Sequence, residues 1–455
     1  MSRTLLLKNA TVVATMDDHG TEIRDGAVLI EGNRIRAVGP SHTLSREADE
    51  TIDLSGHVLI PGLVNTHHHM FQSLTRALPA AQNAELFDWL DALFPVWANI
   101  TPEMMTVSAQ TAMAELMLSG CTTAADHAYF YVNGGRLEDN IEAASIMGLR
   151  YHGVRGAITL GKSQGGLPPD LVVEKDEDAV LKEMQRVVEA HHDASSDAML
   201  QVALGPSSPF TVTPDLMRQS AVLARNLGVR LHTHTAENGK DLAFSQQRYG
   251  MTPAQFAEEM NWVGDDVWHA HCVHLDDHGI QLFGRTGTGV AHCPCSNMRL
   301  ASGHAPIRRM LDNGVRVGLG VDGSASNDGN DLLGEARQAM LVARVRDEDP
   351  AALSAREALR LATRGGAEVL GRGDHLGRIQ AGYCADLVAW KLDDIAFAGG
   401  LSDPLAALLF CAPRRVSLSI VNGKTVVRDG QLTTVELPRL VERHNQLSRI
   451  LIDGD

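Results

Sequence analysis

The chain has 455 residues but few cysteines, few aromatic side chains and no long apolar run. Its six cysteines are Cys121, Cys272, Cys293, Cys295, Cys384 and Cys411. They are too sparse for a disulfide scaffold, so we expect free thiols in a reducing, cytoplasmic compartment. No stretch approaches the roughly 18 consecutive apolar residues of a membrane-spanning helix. The N-terminal segment also lacks an apolar region followed by a small-residue cleavage site, so we expect no secretory signal.

Positive charge is also in deficit, because 40 Lys and Arg stand against 56 Asp and Glu, for a net charge of −16. A general nucleic-acid binder needs clustered cations, and an anionic membrane surface would repel this chain, so we expect neither as a partner. The hydrophobic share of 44% and the charged share of 21% are those of an ordinary globular protein. The length fits two or three domains, or one large barrel with an accessory domain.

The two ends of the chain share one sequence pattern, and the middle of the chain has a different one. Short β-branched runs separated by turns, such as LLLKNATVVAT and RVSLSIVNGKTVVRDG, occupy both ends, and we predict that they pair into one small β domain. In the middle, about eight short apolar runs alternate with helical patterns such as DAVLKEMQRVVEAHH. This alternation indicates parallel βα units. On such a barrel, catalytic residues lie at the carboxyl ends of the strands.

Four of the apolar runs end in polar clusters. They are NTHHHMFQ with His67 and His69, LHTHTAE with His234 and Glu237, HAHCVHL with His269, His271 and His274, and GLGVDGSASND with Asp322. Residues i and i+2 of a strand point the same way, so His67 and His69 can reach one metal ion while His68 faces elsewhere. Three nitrogen ligands and one carboxylate suit Zn²⁺ or Fe²⁺, which lowers the pKa of a bound water to about 7.

Plainer readings exist for each residue type. A single buried histidine is more often a hydrogen-bonded core residue, and Asp at a strand end is often a helix cap. Four clusters at four strand ends favour a shared metal site. Gly318, Gly320 and Gly323 spell G-x-G-x-x-G, but no βαβ nucleotide-binding setting follows, so we expect no dinucleotide there. Cys293 and Cys295 lack a second cysteine pair and are interpreted as structural, and the absence of P-C-x-x-C excludes the His/Cys/Cys zinc deaminases.

Several motifs resemble the amidohydrolase superfamily, specifically its cytosine-deaminase-like branch of aminohydrolases. They are PGLVNTHHH, LHTHTAE, AHCVHL, AHCPCSNMRLASG and GLGVDGSASNDGNDL, with KNATVVATMD and LGRIQAGYCADLVAW towards the ends. The resemblance covers nearly the whole chain. It implies a distorted (β/α)₈ TIM barrel over residues 59–374, a small β-sandwich of residues 1–58 and 375–435, and a C-terminal helix over 436–455. It also implies a homo-oligomer acting on a small molecule.

The resemblance assigns roles to six residues. His67, His69 and His234 match metal ligands, Glu237 the proton shuttle, His271 the histidine that polarises substrate or holds the attacking water, and Asp322 the last ligand and base. His269 and His274 match nothing and are treated as flanking. Related hydantoinases bridge two metals with a carboxylated lysine on the fourth strand, whereas MLQVALGPSSPF contains no lysine. We therefore expect one divalent metal, Zn²⁺ or Fe²⁺, and deamination rather than ring-amide hydrolysis.

The substrate is indicated less directly. Gln72 completes H-x-H-x-x-Q, which resembles guanine-type deaminases whose amide reads a purine edge, although Gln72 could instead cap the following helix. QSLTRAL and RGAITLGKSQGGLPPD look most like 8-oxoguanine deaminases and their isocytosine- and triazine-hydrolysing neighbours. Arg155, Trp89 and Tyr129 are our candidates for substrate contacts. The loop over Gly161–Pro169 is a candidate cover of the site.

We therefore predict hydrolysis of 8-oxoguanine to urate and ammonia. Water would attack the carbon that bears the amine, with Glu237 protonating the adjacent ring nitrogen, Asp322 accepting the water's proton and His271 stabilising developing charge. The alternatives are an s-triazine, isoxanthopterin or isocytosine aminohydrolase, or hydrolysis of a carbon–halogen or amide bond. Gln72 favours a free base over adenosine or S-adenosylhomocysteine. Non-catalytic assembly proteins of this fold have lost their ligands, whereas this chain keeps its own.

Overall fold

The computed structural model describes residues 3–44, 47–411 and 415–454. The strands are β1 (Thr4–Ala14), β2 (Glu22–Glu31), β3 (Arg34–Pro40), β4 (Glu50–Asp53), β5 (His57–Pro61), β6 (Leu63–Asn65), β7 (Cys121–Ala128), β8 (Arg150–Ala157), β9 (Leu200–Pro206), β10 (Leu231–Thr235), β11 (Val267–His271), β12 (Gly289–His292), β13 (Arg316–Leu319), β14 (Leu387–Lys391), β15 (Leu418–Val421), β16 (Lys424–Arg428) and β17 (Gln431–Leu432). The α-helices are α1 (Leu86–Trp97), α2 (Pro102–Leu118), α3 (Leu137–Met147), α4 (Glu177–His191), α5 (Pro214–Leu227), α6 (Gly239–Tyr249), α7 (Pro253–Glu259), α8 (Asp277–Thr286), α9 (Pro294–Arg299), α10 (Ile307–Asp312), α11 (Leu332–Asp347), α12 (Ala355–Arg360), α13 (Gly366–Val369), α14 (Pro404–Phe410) and α15 (Leu437–Asp453).

The strands β6 to β13 form a closed parallel barrel. Each corresponds to one of the apolar runs of the sequence, so the predicted (β/α)₈ architecture is confirmed. These strands are buried along almost their whole length, which explains why they read as continuous apolar runs rather than alternating ones. A short 3₁₀ helix, Met70–Thr75, follows β6 directly, and all six of its residues are buried. It carries Gln72 close to the ends of the barrel strands.

The nine remaining strands form a separate sheet that draws on both ends of the chain. β5 connects the two parts, since it runs parallel to β1 and antiparallel to β14, with Val58 opposite Trp390. The prediction of one β domain built from both termini is thereby confirmed. β5 ends at Pro61, and the first barrel strand begins two residues later at Leu63. The finer partition at residues 58 and 375 stays a prediction.

A buried ion pair joins the barrel to this sheet. Arg150, the first residue of β8, donates from Nε and Nη2 to the two carboxylate oxygens of Asp386, each at 2.9 Å. The side chain of Arg150 is fully buried and that of Asp386 is 4% exposed. Removing one partner of such a pair leaves an uncompensated buried charge and typically costs about 3–5 kcal/mol. The contact therefore holds the amino-terminal end of the barrel against the sheet.

The last helix, α15, packs beside the barrel entrance. Its Ser448 hydroxyl donates to the backbone oxygen of Leu74 at 2.6 Å, and Nε2 of His444 lies 3.2 Å from the hydroxyl of Ser73. Both contacts are made to the 3₁₀ helix that carries Gln72. Within the described parts of the chain, none of the helices has the length and apolar character needed to cross a membrane.

Candidate metal centre and substrate cavity

Four side chains from three strand ends meet at the carboxyl end of the barrel. We call His67, His69, His234 and Asp322 the ligand cluster. The carboxylate Oδ1 of Asp322 lies 3.2 Å from Nε2 of His67 and 3.3 Å from Nε2 of His69. Nε2 of His69 lies 3.0 Å from Nε2 of His234. All four are at most 9% exposed, so the cluster is removed from bulk water. The four residues selected from the sequence thus lie next to one another, joined by contacts of 3.0, 3.2 and 3.3 Å, and their role as metal ligands stays a prediction.

The hydrogen bonds of the imidazoles fix which nitrogen faces the cluster. Nδ1 of His69 lies 2.8 Å from the backbone oxygen of His127, and Nδ1 of His234 lies 2.6 Å from that of Ser207. A carbonyl oxygen only accepts, so each Nδ1 carries the proton and each Nε2 of the neutral ring presents a lone pair. Two lone pairs 3.0 Å apart repel each other unless a cation lies between them. This arrangement is the one that metal-ligating histidines adopt.

The separations also fit a tetrahedral ion. At zinc–ligand distances of about 2.0–2.1 Å, neighbouring ligand atoms stand about 3.3 Å apart. The measured separations of 3.0, 3.2 and 3.3 Å lie near that value. Among the described residues, moreover, the buried Nε2 of His67 has no hydrogen-bond partner. The donor set of three imidazoles and one carboxylate therefore fits a divalent metal ion.

Asp322 is held by groups that keep it ionised. The Ser296 hydroxyl donates to its Oδ2 at 2.6 Å, and the backbone N–H of Gly323 donates to its Oδ1 at 2.7 Å. Burial opposes ionisation, but these hydrogen bonds favour the carboxylate, and the neighbouring imidazole of His271 lowers the pKa of Asp322. The residue has a φ of +63°, and His271 has one of +70°. Left-handed backbone at non-glycine residues costs of order 1–3 kcal/mol and is concentrated at functional sites.

Two further predicted residues flank the cluster on one side. Oε2 of Glu237 lies 3.5 Å from Nε2 of His271, which in turn lies 3.8 Å from Oδ2 of Asp322. Burial raises the pKa of Glu237 to about 7, and the nearby carboxylates of Asp322 and Asp241 act in the same direction. Burial alone would lower the pKa of His271, but the carboxylates of Glu237 and Asp322 raise it. Glu237 can therefore exchange a proton near neutral pH.

A cavity opens directly above these groups. Lining residues include His69, His234, Glu237, His271 and Asp322 from the strand ends, Gln72 and Tyr129 beside them, and Leu86, Trp89, Leu90 and Phe94 from α1. Nε2 of Gln72 donates to the Tyr129 hydroxyl at 3.4 Å, while its buried Oε1 has no partner among the described residues. The indole N–H of Trp89 donates to the backbone oxygen of Ala325 at 3.1 Å. Three of the four predicted substrate contacts thus line the cavity.

The fourth, Arg155, does not line it. Nη2 of Arg155 lies 2.7 Å from Oε1 of Glu174, and the guanidinium stacks 4.0 Å above the ring of Tyr131. Arg155 lies on β8, and its side chain points to the outer side of the barrel, where Glu174 neutralises it. His269 and His274 also stay outside the cluster, because His269 is bonded to Thr235 and Trp262 and His274 to Ser302.

Helix α1 forms a roof over the cavity, and we use "the roof" for residues 86–97. Its buried face contributes apolar side chains. Ion pairs connect the roof, and the residue before it, to neighbouring segments. Asp91 pairs with Lys162 at 2.8 Å, within the 161–169 loop that the sequence singled out as a cover. Glu85, just before the helix, pairs with Lys240 of α6 and accepts from the side chain of Asn238 at 3.2 Å. The predicted loop thus supports the roof from outside the cavity.

The G-x-G-x-x-G run has a packing explanation. A Cβ at Gly320 would lie 2.7 Å from the Cβ of His67, and one at Gly323 would overlap the side-chain amide of Gln72. Glycine at these positions lets the loop carrying Asp322 approach the segment that carries the first ligands. The run therefore serves the metal centre.

Sequence reasoning missed three residues that orient the predicted ones. Ser296 contacts Asp322 as described, Oδ1 of Asn297 accepts from Nδ1 of His271 at 3.0 Å, and Oδ2 of Asp241 accepts from the backbone N–H of Glu237 at 3.0 Å. Ser296 and Asn297 lie within AHCPCSNMRLASG, so the motif itself was the available signal. Asp241 follows Glu237 by four residues, in the first turn of α6.

Comparison with known proteins gives matches over the whole chain. A curated 8-oxoguanine deaminase from Pseudomonas aeruginosa is 41% identical over 456 aligned residues, covering 100% of each chain. An isoxanthopterin deaminase from an unknown prokaryotic organism is 34% identical and covers 98% of this chain and 97% of its own.

A solved structure gives a similar result. The crystal structure of an atrazine chlorohydrolase from Arthrobacter aurescens TC1, complexed with zinc, superposes with a TM-score of 0.93 at 37% identity and covers 98% of this chain and 100% of that one. The sequence profile of the amidohydrolase family matches residues 58–426. With this profile match, these relatives and the barrel geometry, the protein belongs to the amidohydrolase family.

Proposed function

We propose that this protein is a zinc-dependent hydrolase that deaminates a free, planar amino-heterocycle, and that its substrate is 8-oxoguanine, converted to urate and ammonia. The observation that carries the proposal is the convergence of three Nε2 lone pairs and the Asp322 carboxylate beneath a cavity that also contains Glu237, His271 and Gln72. Zinc is preferred because nitrogen-rich tetrahedral sites suit it. The zinc-bound atrazine chlorohydrolase supports the same choice.

The side chains divide the chemistry between them. A bound divalent metal would supply Lewis-acid activation of water. Asp322, held ionised by its neighbours, would accept the proton that water releases as it adds to the ring carbon bearing the amine. Glu237, with a pKa raised to about 7, would donate a proton to the adjacent ring nitrogen. Asp322 would then pass the proton it accepted to the departing amine, while Glu237 takes up the proton of the new hydroxyl group. The carbon–nitrogen bond then breaks, a carbonyl forms and ammonia leaves.

His271 would stabilise charge on the substrate. Its Nδ1 donates to Asn297, which fixes the ring so that Nε2 faces the space between Glu237 and Asp322. An imidazole already in place costs no reorganisation when charge develops. Its raised pKa keeps a donating N–H available on the cavity side.

Gln72 supports a purine-like ring. Its buried Oε1 lacks a partner among the described residues, and its Nε2 has one proton free beside the bond to Tyr129. A carboxamide with one acceptor and one donor is complementary to a lactam edge, in which N–H stands beside C=O. Leaving that acceptor unpaired costs about 1–3 kcal/mol, so a ring presenting a lactam edge is favoured over one without it.

The cavity favours a free neutral base over a nucleotide. No lysine or arginine of the described chain lines it, so nothing there would pair with a phosphate. The roof contributes the apolar side chains of Trp89, Leu90 and Phe94 to the lining of the cavity. The choice of 8-oxoguanine among planar bases is supported by the relative that is 41% identical over the whole chain.

The test is a substrate panel with zinc-loaded protein of measured metal content. Ammonia release would be followed with 8-oxoguanine, guanine, isocytosine, isoxanthopterin, adenosine and amino-s-triazines, and chloride release with a chloro-s-triazine. We expect kcat/KM above about 10⁴ M⁻¹s⁻¹ for 8-oxoguanine, at the lower end of the range of evolved enzymes. Faster turnover of isoxanthopterin or of an amino-s-triazine would make that compound the substrate in place of 8-oxoguanine. Release of chloride instead of ammonia would make the protein a dehalogenating hydrolase of chloro-s-triazines.

A further inference from the structure

One of the three histidines of the ligand cluster is oriented differently from the other two. The Nδ1 atoms of His69 and His234 donate directly to backbone carbonyl groups. Nδ1 of His67 instead lies 2.7 Å from Nε2 of another imidazole, that of His232. The orientation of His67 therefore depends on a second side chain, which a single substitution can remove.

His232 is itself firmly placed. Its side chain is buried, its Nδ1 lies 2.9 Å from the backbone oxygen of Trp268, and its ring stacks on that indole at 4.4 Å with an interplanar angle of 15°. The indole N–H of Trp268 donates to the backbone oxygen of Thr66 at 3.0 Å. Trp268 thus contacts both the partner of the His67 ring and the backbone residue that precedes His67.

The direction of these hydrogen bonds follows from one carbonyl group. The oxygen of Trp268 only accepts, so the ring proton of His232 is on Nδ1. Nε2 of His232 is then an acceptor and must receive the proton of His67 Nδ1. This leaves a lone pair on Nε2 of His67, 3.2 Å from Oδ1 of Asp322.

From this chain of contacts we infer that His232 is a positioning residue that fixes the metal-binding tautomer and ring plane of His67. His232 does not line the cavity, and His67 is the only member of the ligand cluster to which it is hydrogen-bonded among the described residues. The inference rests on the metal centre of the proposed function and adds a residue to which no role had been assigned. Partners of this kind typically contribute 10- to 100-fold to metal affinity or activity.

His152 provides a matched control for the loss of a buried imidazole. It lies on β8, is 1% exposed and packs against the same indole of Trp268 at 5.5 Å. Neither of its ring nitrogens has a hydrogen-bond partner among the described residues. Replacing either histidine by leucine exchanges a buried imidazole for an apolar side chain of similar volume. At His152 this exchange leaves the contact between His67 and His232 intact.

The experiment compares His232→Leu, His232→Gln and His152→Leu by zinc affinity, measured by competition with a chromophoric chelator. We expect His232→Leu to weaken zinc binding about 10- to 100-fold. Glutamine carries both an acceptor for His67 and a donor for Trp268, so His232→Gln should recover most of the affinity. His152→Leu should bind zinc as the unaltered protein does. Equal losses in both leucine variants, or no recovery with glutamine, would overturn the inference.

A second readout uses the unaltered protein and does not depend on how a variant folds. In the metal-free protein, ¹⁵N chemical shifts of the His67 ring should identify Nδ1 as protonated and Nε2 as unprotonated. The opposite tautomer would overturn the inference. Failure of the unaltered protein to bind zinc would overturn the proposed function as well. Normal zinc binding by all three variants would overturn the role of His232 alone.

Discussion

The floor and the roof of the cavity are built by different physical means. On the floor, imidazole rings emerge from buried strand ends, and for two ligands the far nitrogen is bonded to a backbone carbonyl. On the roof, α1 packs apolar side chains over the cavity and is tied to its neighbours by partly exposed ion pairs of Lys162 and Lys240. Backbone carbonyls of a closed barrel cannot rearrange without breaking the sheet, whereas partly exposed ion pairs contribute little.

This difference suggests a division of tasks between the two walls. The floor would fix the metal and the proton-transfer groups before substrate arrives, and the roof would decide which ring enters and how fast. Substitutions on the floor should therefore reduce metal binding or kcat, and substitutions on the roof should alter KM.

His234→Ala should have the largest effect. It removes the Nε2 that lies 3.0 Å from that of His69 and leaves three of the four donors. We expect zinc to be lost and activity to fall by more than about 10³-fold, because metal activation contributes several kcal/mol. Metal analysis and ammonia release measure both on the same sample. His274→Ala, in a histidine outside the cluster, should retain both. Full turnover by His234→Ala would refute the ligand assignment.

Glu237→Gln should separate proton transfer from metal binding. The amide keeps the size of the carboxyl but cannot shuttle a proton, so kcat should fall by about 10²- to 10⁴-fold while zinc content is unchanged. Steady-state kinetics with parallel metal analysis tests this, with the exposed Glu258→Gln as control. A kcat equal to that of the unaltered protein would remove Glu237 from the mechanism.

Gln72→Leu should act on substrate recognition. The change removes the acceptor and donor proposed for the lactam edge, each contributing about 0.5–1.5 kcal/mol, so kcat/KM should fall about 5- to 100-fold, mainly through KM. Zinc content should not change. Gln185→Leu, on the outer helix α4, serves as the control. An unaltered KM would remove Gln72 from substrate recognition.

Lys240→Ala should have the smallest effect. Lys240 is 52% exposed and Glu85 33%, so the ion pair is largely screened by solvent and contributes little to the placement of the roof. We expect KM to change by no more than about fivefold and the change to disappear at high salt. Lys182→Ala on α4 is the matched control. A large loss of kcat would mean that the roof takes part in fixing Glu237, against the division proposed here.

Much of the floor could be predicted from sequence because its residues lie at strand ends. A polar cluster that closes an apolar run has a defined position on a βα barrel. His67 and His69 lie together as expected, although both follow the end of β6 at Asn65 rather than lying within the strand. Arg155 also lies near the end of an apolar run, yet its side chain points away from the cavity and pairs with Glu174. Glu174 lies in a loop, and the sequence of a loop has no hydrophobic periodicity from which its path could be predicted.

Other features could not be predicted because they depend on contacts between distant segments. The bond between His232 and His67 joins residues 165 positions apart, and that between Ser296 and Asp322 joins different strand ends. Of the roof, only Trp89 was named from the sequence, because the apolar face of α1 resembles that of any amphipathic helix. The eight strands and the β domain, in contrast, follow from local patterns and were predicted correctly.

The central claim is hydrolytic deamination at this metal centre, and isotope labelling tests it most directly. Zinc-loaded protein would convert 8-oxoguanine in H₂¹⁸O, with ammonia quantified and the purine product analysed by mass spectrometry. The account predicts one ammonia per turnover and urate carrying one ¹⁸O atom, with no conversion by protein stripped of metal. Unlabelled product, absence of ammonia, or equal rates with and without metal would contradict it.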